Sequence, residues 1–178
     1  MRLDVTSSAL CVIDVQERLL PAMAEGERVV ARCRRLVEAA GLLAVPTLLT
    51  EQYPQGLGPT VPSLAGILPK PVTKMSFSCW GTPAFRQAIP DGVSSIVLCG
   101  LETHVCVAQT AIDLLAGRMA VFIAVDAMTS RHPIDHETAL RRLEAAGAMV
   151  TTSEAVLFEW CGSAEHPQFQ AVRKLVRA

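Results

Sequence analysis

Three residues in three separated segments have side chains that together make an acid/base-assisted nucleophile: Asp14, Lys74 and Cys106. Asp14 closes the apolar run Cys11-Val12-Ile13, where an unpaired buried carboxylate is costly, so it is either a site residue or the N-cap of the segment that follows. Cys106 follows the run Ile96 to Cys99 through Gly100-Leu101-Glu102-Thr103-His104-Val105 and falls in the first turn of an expected helix. There the positive end of the helix dipole favours a thiolate, against the plainer reading of a packing cysteine. Lys74 is an isolated cation among apolar and aromatic neighbours, from Val72 to Trp80. On its own it reads as a surface charge. With the other two, Asp14 would take the thiol proton, and Lys74 would hold the charges and lower both pKa values.

The elements that must position these groups are short apolar runs alternating with segments of helical period, the pattern of βαβ units in an α/β fold with a parallel sheet covered on both faces. The runs are Ala9 to Ile13, Val45 to Leu49, Ile96 to Cys99, Ala120 to Val125 and Met149 to Thr152. Val29, Val30, Cys33, Leu36, Val37 and Ala40 predict an amphipathic helix stopped by Gly41. Two more helices are expected from Thr103 to Gly117 and from Asp135 to Ala146. The prolines and glycines of the segment from Tyr53 to Lys74 exclude long regular elements and predict an ordered loop over the sheet. In such sheets ligands bind at the carboxyl ends of the strands, where all three polar residues fall.

A length of 178 residues suits one domain spanning 1–178. Sixteen Lys+Arg against 17 Asp+Glu give a net charge of -1, which carries no footprint for nucleic acid or an anionic membrane. The longest apolar runs fall far short of a membrane span, and the N-terminus has no signal-peptide pattern, so a cytoplasmic protein is expected. With glycine counted in and tyrosine out, apolar residues make up roughly 56%, above the usual ~45–50%, which points to a homo-oligomer. Leu57, Val61, Leu64 and Ile67 would be buried at its interface. Cys11, Cys33 and Cys99 read as reduced packing residues. His132 and His136 lack neighbouring ligands for a metal, and no phosphate-binding glycine loop occurs, so neither metal nor organic cofactor is expected.

Four ordered segments give the chain a family resemblance: Asp14-Val15-Gln16; Lys74 with Phe77-Ser78; Gly100 to Val107; and Val125-Asp126-Ala127 with Ser130-Arg131. Together they resemble the isochorismatase-like cysteine hydrolases, and the stretches from Thr50 to Val61 and from His166 to Phe169 resemble the isochorismatase-domain-containing subgroup. The resemblance implies a Rossmann-like three-layer α/β/α sandwich and a catalytic triad of Asp14, Lys74 and Cys106. It also implies a cis peptide at Leu101-Glu102 and an oxyanion hole from the backbone N–H groups of Glu102 and Cys106. Glu51-Gln52-Tyr53 stands where metal-dependent nicotinamidases carry their ligands, which disfavours that activity, and Cys106 departs from true isochorismatases. The expected activity is hydrolysis of a small amide- or carbamoyl-type substrate through a Cys106 thioester. The alternative is a weakly catalytic ligand-binding or redox-sensing protein that keeps the fold. Gln16, Gln52, Phe77, Trp80 and Glu102 are candidates for the substrate pocket, and Asp126 and Arg131 for support behind it.

Overall fold

The computed structural model describes residues 1–177. Six parallel strands form one sheet in the order β3-β2-β1-β4-β5-β6: β1 (Ser8–Ile13), β2 (Thr47–Gln52), β3 (Val72–Lys74), β4 (Ser95–Leu101), β5 (Ala120–Thr129) and β6 (Met149–Thr151). The chain starts at the centre, builds outward to β3, then returns to lay β4 on the other side of β1. That reversal places the switch point between β1 and β4, the position at which open α/β sheets bind ligands.

Both faces are covered, as the unbroken apolar strands require. Leu10, Val12, Leu49, Val97 and Phe122 pack under α1 (Gly26–Leu42), α7 (Ser153–Cys161) and α8 (Phe169–Arg177). Ala9, Cys11, Ile13, Ile96, Leu98 and Ile123 pack under α4 (Pro83–Ala88), α5 (Ala108–Ala116) and α6 (Pro133–Ala145). Alternate residues of β1 thus go to opposite faces, the period of two that a strand imposes, and the result is a three-layer α/β/α sandwich.

Several local expectations are revised. Gly41 does not stop α1; the helix runs through it to Leu42 and turns off at Ala44, which takes φ 56°. The amide of Val45 bonds back to the Ala40 carbonyl at 2.8 Å, closing the end without a glycine. Gly41 is therefore a helical residue on the exposed side, and a Cβ built on it meets nothing within 4 Å. Gly41→Ala is expected to raise stability by about 0.5–1 kcal/mol, seen as a higher Tm in calorimetry; an unchanged or lower Tm would count against the helical assignment.

The segment from Tyr53 to Lys74 holds two one-turn helices, α2 (Pro54–Leu57) and α3 (Pro62–Ala65), as well as β3. Each proline opens its helix, where a missing N–H costs nothing. Val61 and Leu64 are buried within this chain, in the core cluster that α1 helps to build, so an interface is not needed to cover them; Ile67 stays exposed. Thr103–Val107 form a π-helical turn before α5 begins. Just ahead of that turn, Gly100 has φ 116°, and a Cβ there would lie 2.1 Å from the Ile13 carbonyl oxygen. Only glycine lets β1 and β4 approach this closely at the switch point.

Candidate active site

Asp14 follows β1 in a left-handed conformation, φ 53°, and is fully buried. One carboxylate oxygen accepts from the Thr50 hydroxyl at 2.7 Å and the other from Lys74 Nζ at 2.7 Å. The sheet register explains the meeting: Ile13 pairs with Thr50 on β2 and Gln52 pairs with Lys74 on β3, so the ends of three adjacent strands converge. Lys74 also donates to Gln52 Oε1 at 2.8 Å and to the carbonyls of Phe77 and Ser76 at 3.0 and 3.3 Å. A buried ion pair offsets its desolvation only when its remaining hydrogen-bonding capacity is met, and here it is. Burial is the largest influence and works against the Lys74 charge, but the Asp14 carboxylate together with the Cys106 and Cys79 sulfurs overcomes it and holds the lysine pKa above its ordinary value.

Cys106 sits in the π-helical turn at the carboxyl end of β4, buried to 6% exposure. Burial first, and the Asp14 carboxylate second, push its thiol well above the usual range, against the opposing pull of Lys74. Lys74 pulls this pKa down as expected, but desolvation and a neighbouring negative charge outweigh one ammonium, so the expected net lowering is not met. The resting group is a protonated thiol beside a carboxylate.

The turn that carries Cys106 is braced from the β5–α6 connection. Arg131 donates to both Glu102 carboxylate oxygens, at 2.9 and 3.2 Å. Thr103 Oγ1 is hydrogen-bonded to His136 Nδ1 at 2.9 Å, and His104 Nδ1 to Ser130 Oγ at 2.9 Å. The Glu102 backbone carbonyl accepts from the amides of Val105 and Val107, and the Leu101–Glu102 peptide is cis.

Other candidates fall elsewhere. Gln16 spends its amide on the loop backbone, donating to the carbonyls of Gln52 and Gly58 and accepting from the Gln52 amide, so it clamps β2 to the following loop. Gln52 holds Lys74 and the Met75 carbonyl. Trp80 is half-buried and its ring packs against Gly117 at the end of α5. Phe77 contributes its carbonyl to Lys74 and leaves its ring half-exposed at the rim. Asp126 accepts from the Ser153 amide and hydroxyl, both at 2.6 Å, and lies 3.7 Å from Arg32; it pins the start of α7 and, among the described residues, has no hydrogen bond or ion pair to the Glu102 turn. Glu51 is occupied by the amide and hydroxyl of Thr60. Sequence reasoning missed Thr50 and the buried Cys79, whose Sγ lies 3.8 Å from the Thr50 hydroxyl. Thr50 could have been found as the residue opposite the end of β1.

A parallel α/β/α sandwich with a carboxylate, an ammonium and a thiol at its switch point defines a class of α/β enzymes with a polar cluster at the strand ends. The chain belongs to the isochorismatase family: residues 8–155 match the family described as Isochorismatase domain, which makes it an isochorismatase-like hydrolase. It is 44% identical over 173 residues to Isochorismatase domain-containing protein 2 of Bos taurus, spanning 96% of this chain and 83% of that one. The solved structure of MAR1 ribonuclease from Caenorhabditis elegans superposes with TM-score 0.94 at 40% identity, covering 100% of this chain and 93% of that one. The Escherichia coli YcaC gene product, described as an octameric hydrolase of unknown specificity, gives TM-score 0.84 at 26% identity, covering 99% and 95%. Among the described residues no helix is long and apolar enough to cross a membrane.

Proposed function

We propose that this hydrolase cleaves a small amide- or carbamoyl-type substrate through a thioester on Cys106. The observation that carries the reading is the buried Asp14–Lys74 pair, 2.7 Å apart, at the same sheet edge as a thiol on which both charges act. Cys106 Sγ attacks the substrate carbonyl carbon as its proton passes to Asp14, so the thiolate exists only while it is being consumed. The oxyanion is held by the N–H groups of Glu102 and Cys106, where one such donor is worth ~10²–10³ in rate. Asp14 returns the proton to the departing amine, then takes one from the water that opens the thioester and passes it to the Cys106 sulfur as the C–S bond breaks, which releases the acid and restores the thiol. Lys74 keeps the carboxylate oriented and compensates its charge, and Arg131 acts through Glu102 to hold the turn. Neither a metal nor an organic cofactor enters these steps.

Amine release from a panel of small primary amides and carbamates tests the proposal, with a labelled RNA oligonucleotide included because the Caenorhabditis elegans relative is named a ribonuclease. The account expects amide turnover that disappears in step with alkylation of Cys106. Turnover that survives full alkylation, or RNA cleavage with no amide hydrolysis, overturns it.

The thiol's raised pKa has a pH signature. Iodoacetamide should reach Cys106 before the fully buried Cys11, Cys33, Cys79 and Cys99. Because the protonated form persists above the ordinary thiol range, its labelling rate should keep climbing past pH 9. A rate already level at pH 7 would mean a preformed thiolate.

We further propose a homo-oligomer, supported by the exposed apolar side chains of Tyr53, Met75 and Phe77 following the site-edge strands, and Ile134 at the start of α6. Light scattering is expected to return a multiple of 19.1 kDa; a particle of 19.1 kDa at micromolar concentration contradicts it.

A further inference from the structure

The whole-chain charge of -1 hides a strong asymmetry. Helix α1 carries Arg28, Arg32, Arg34 and Arg35 with only Glu27 and Glu38; α8 adds Arg173, Lys174 and Arg177 with no acid. The two helices therefore hold a net of +5, which leaves -6 on the rest of the chain.

They also share a groove of about 350 Å³, lined by the four α1 arginines, Glu38, Ala31 and Leu175. Its charge is only partly met. Arg28 pairs with Glu25 outside the lining, Arg34 with Glu38 at 2.8 Å, and Arg32 reaches Asp126 only at 3.7 Å, where both carboxylate oxygens already accept from Ser153. Among the described residues Arg35 makes no ion pair. Partial burial and then the neighbouring Arg32 pull its pKa down, against Asp126 and Glu154. A guanidinium does not give up its proton in a protein, so Arg35 stands in the groove lining as a charge with no ion-pair partner among the described residues, and an anion beside it is favourable.

We infer that the α1–α8 groove binds a linear phosphate polyanion, recognised by charge. Planar guanidiniums on successive turns suit a run of phosphates, each taking a bidentate contact. No aromatic side chain lines the groove, so bases have nothing to stack on and the phosphate backbone alone is read. A membrane is the poorer occupant: Val172 is buried, and Leu175 and Val176 pack on the core, so the apolar side of α8 is not free to enter lipid.

Fluorescence anisotropy of the full chain with a labelled single-stranded RNA oligonucleotide, challenged with inorganic polyphosphate and separately with anionic vesicles, tests the site. Saturable binding at low salt that falls steeply as salt rises is expected. Displacement by polyphosphate is expected, since phosphates alone are read, and RNA binding that polyphosphate cannot displace contradicts recognition by charge. The Arg32→Gln, Arg35→Gln pair, both in the lining, should weaken binding on the order of tenfold. The exposed Arg28→Gln, Arg34→Gln pair, also in the lining, gives the same reading if the first pair fails to fold. Arg118→Gln with Arg141→Gln makes an equal charge change away from the groove and should leave binding intact. No saturable binding to RNA or polyphosphate, equal loss in that distant pair, or binding to vesicles alone overturns the proposal.

Discussion

Cys106→Ala is expected to lower kcat/KM on the amide substrate on the order of 10⁴-fold or more, because the covalent route closes and only binding and the oxyanion donors remain. The fold should survive. The thiol adds little packing volume at a site of 6% exposure, so the change should cost about 1 kcal/mol. Cys106→Ser should not rescue the rate, because a hydroxyl is a much weaker nucleophile at neutral pH than a thiol whose proton Asp14 can take. Steady-state kinetics with matched unfolding curves checks both halves; a loss of less than tenfold in the alanine variant would make Cys106 a packing residue.

Lys74→Met is expected to cost about 3–5 kcal/mol of unfolding free energy, measured by urea denaturation. The loss comes less from the Asp14–Lys74 attraction than from what the missing ammonium leaves behind: a buried Asp14 charge, an unmet Gln52 oxygen and the Phe77 carbonyl. Lys74→Arg should not restore stability, since a planar guanidinium does not reproduce an ammonium's convergent donors. The sign of the pH effect follows from the raised lysine pKa. Its contribution is complete below the ordinary value of 10.5 and is lost as pH climbs through the higher folded value, so the wild-type advantage should hold across neutral pH and shrink only in strong alkali. A variant within 1 kcal/mol of wild type would show that the pair adds little to the fold.

The central strands were legible because burial on both faces writes itself as an unbroken apolar run, as in Ala9 to Ile13 and Ile96 to Cys99. Strand β3 was not, because its three residues at the edge of the sheet carry a mixed pattern and follow a proline-rich stretch. Asp14, Lys74 and Cys106 stood out as polar groups at the ends of apolar segments. The partners that fix them did not: the Ser76 and Phe77 carbonyls are backbone and leave no mark in residue type, and Gln16 and Gln52 look alike whether they face a ligand or a loop. Asp126 closes an apolar run much as Asp14 does, and residue type alone does not show that its carboxylate meets Ser153 at the start of α7. Stacking on a ligand and packing against Gly117 call for the same side chain, so residue type does not separate the two for Trp80. A net charge taken over the whole chain does not show the basic surface, because its seven cations gather only when α8 folds back onto α1.

The covalent intermediate decides the account most directly. Wild-type protein should be mixed with an amide substrate found in the panel, quenched in acid within its first turnovers and digested for mass spectrometry. The substrate's acyl mass is expected on the peptide bearing Cys106, with the amine already released, and a longer-lived adduct in Asp14→Asn, where no carboxylate activates the water. Turnover with no acyl mass on Cys106 in either protein, or with the adduct on Cys79, would contradict it.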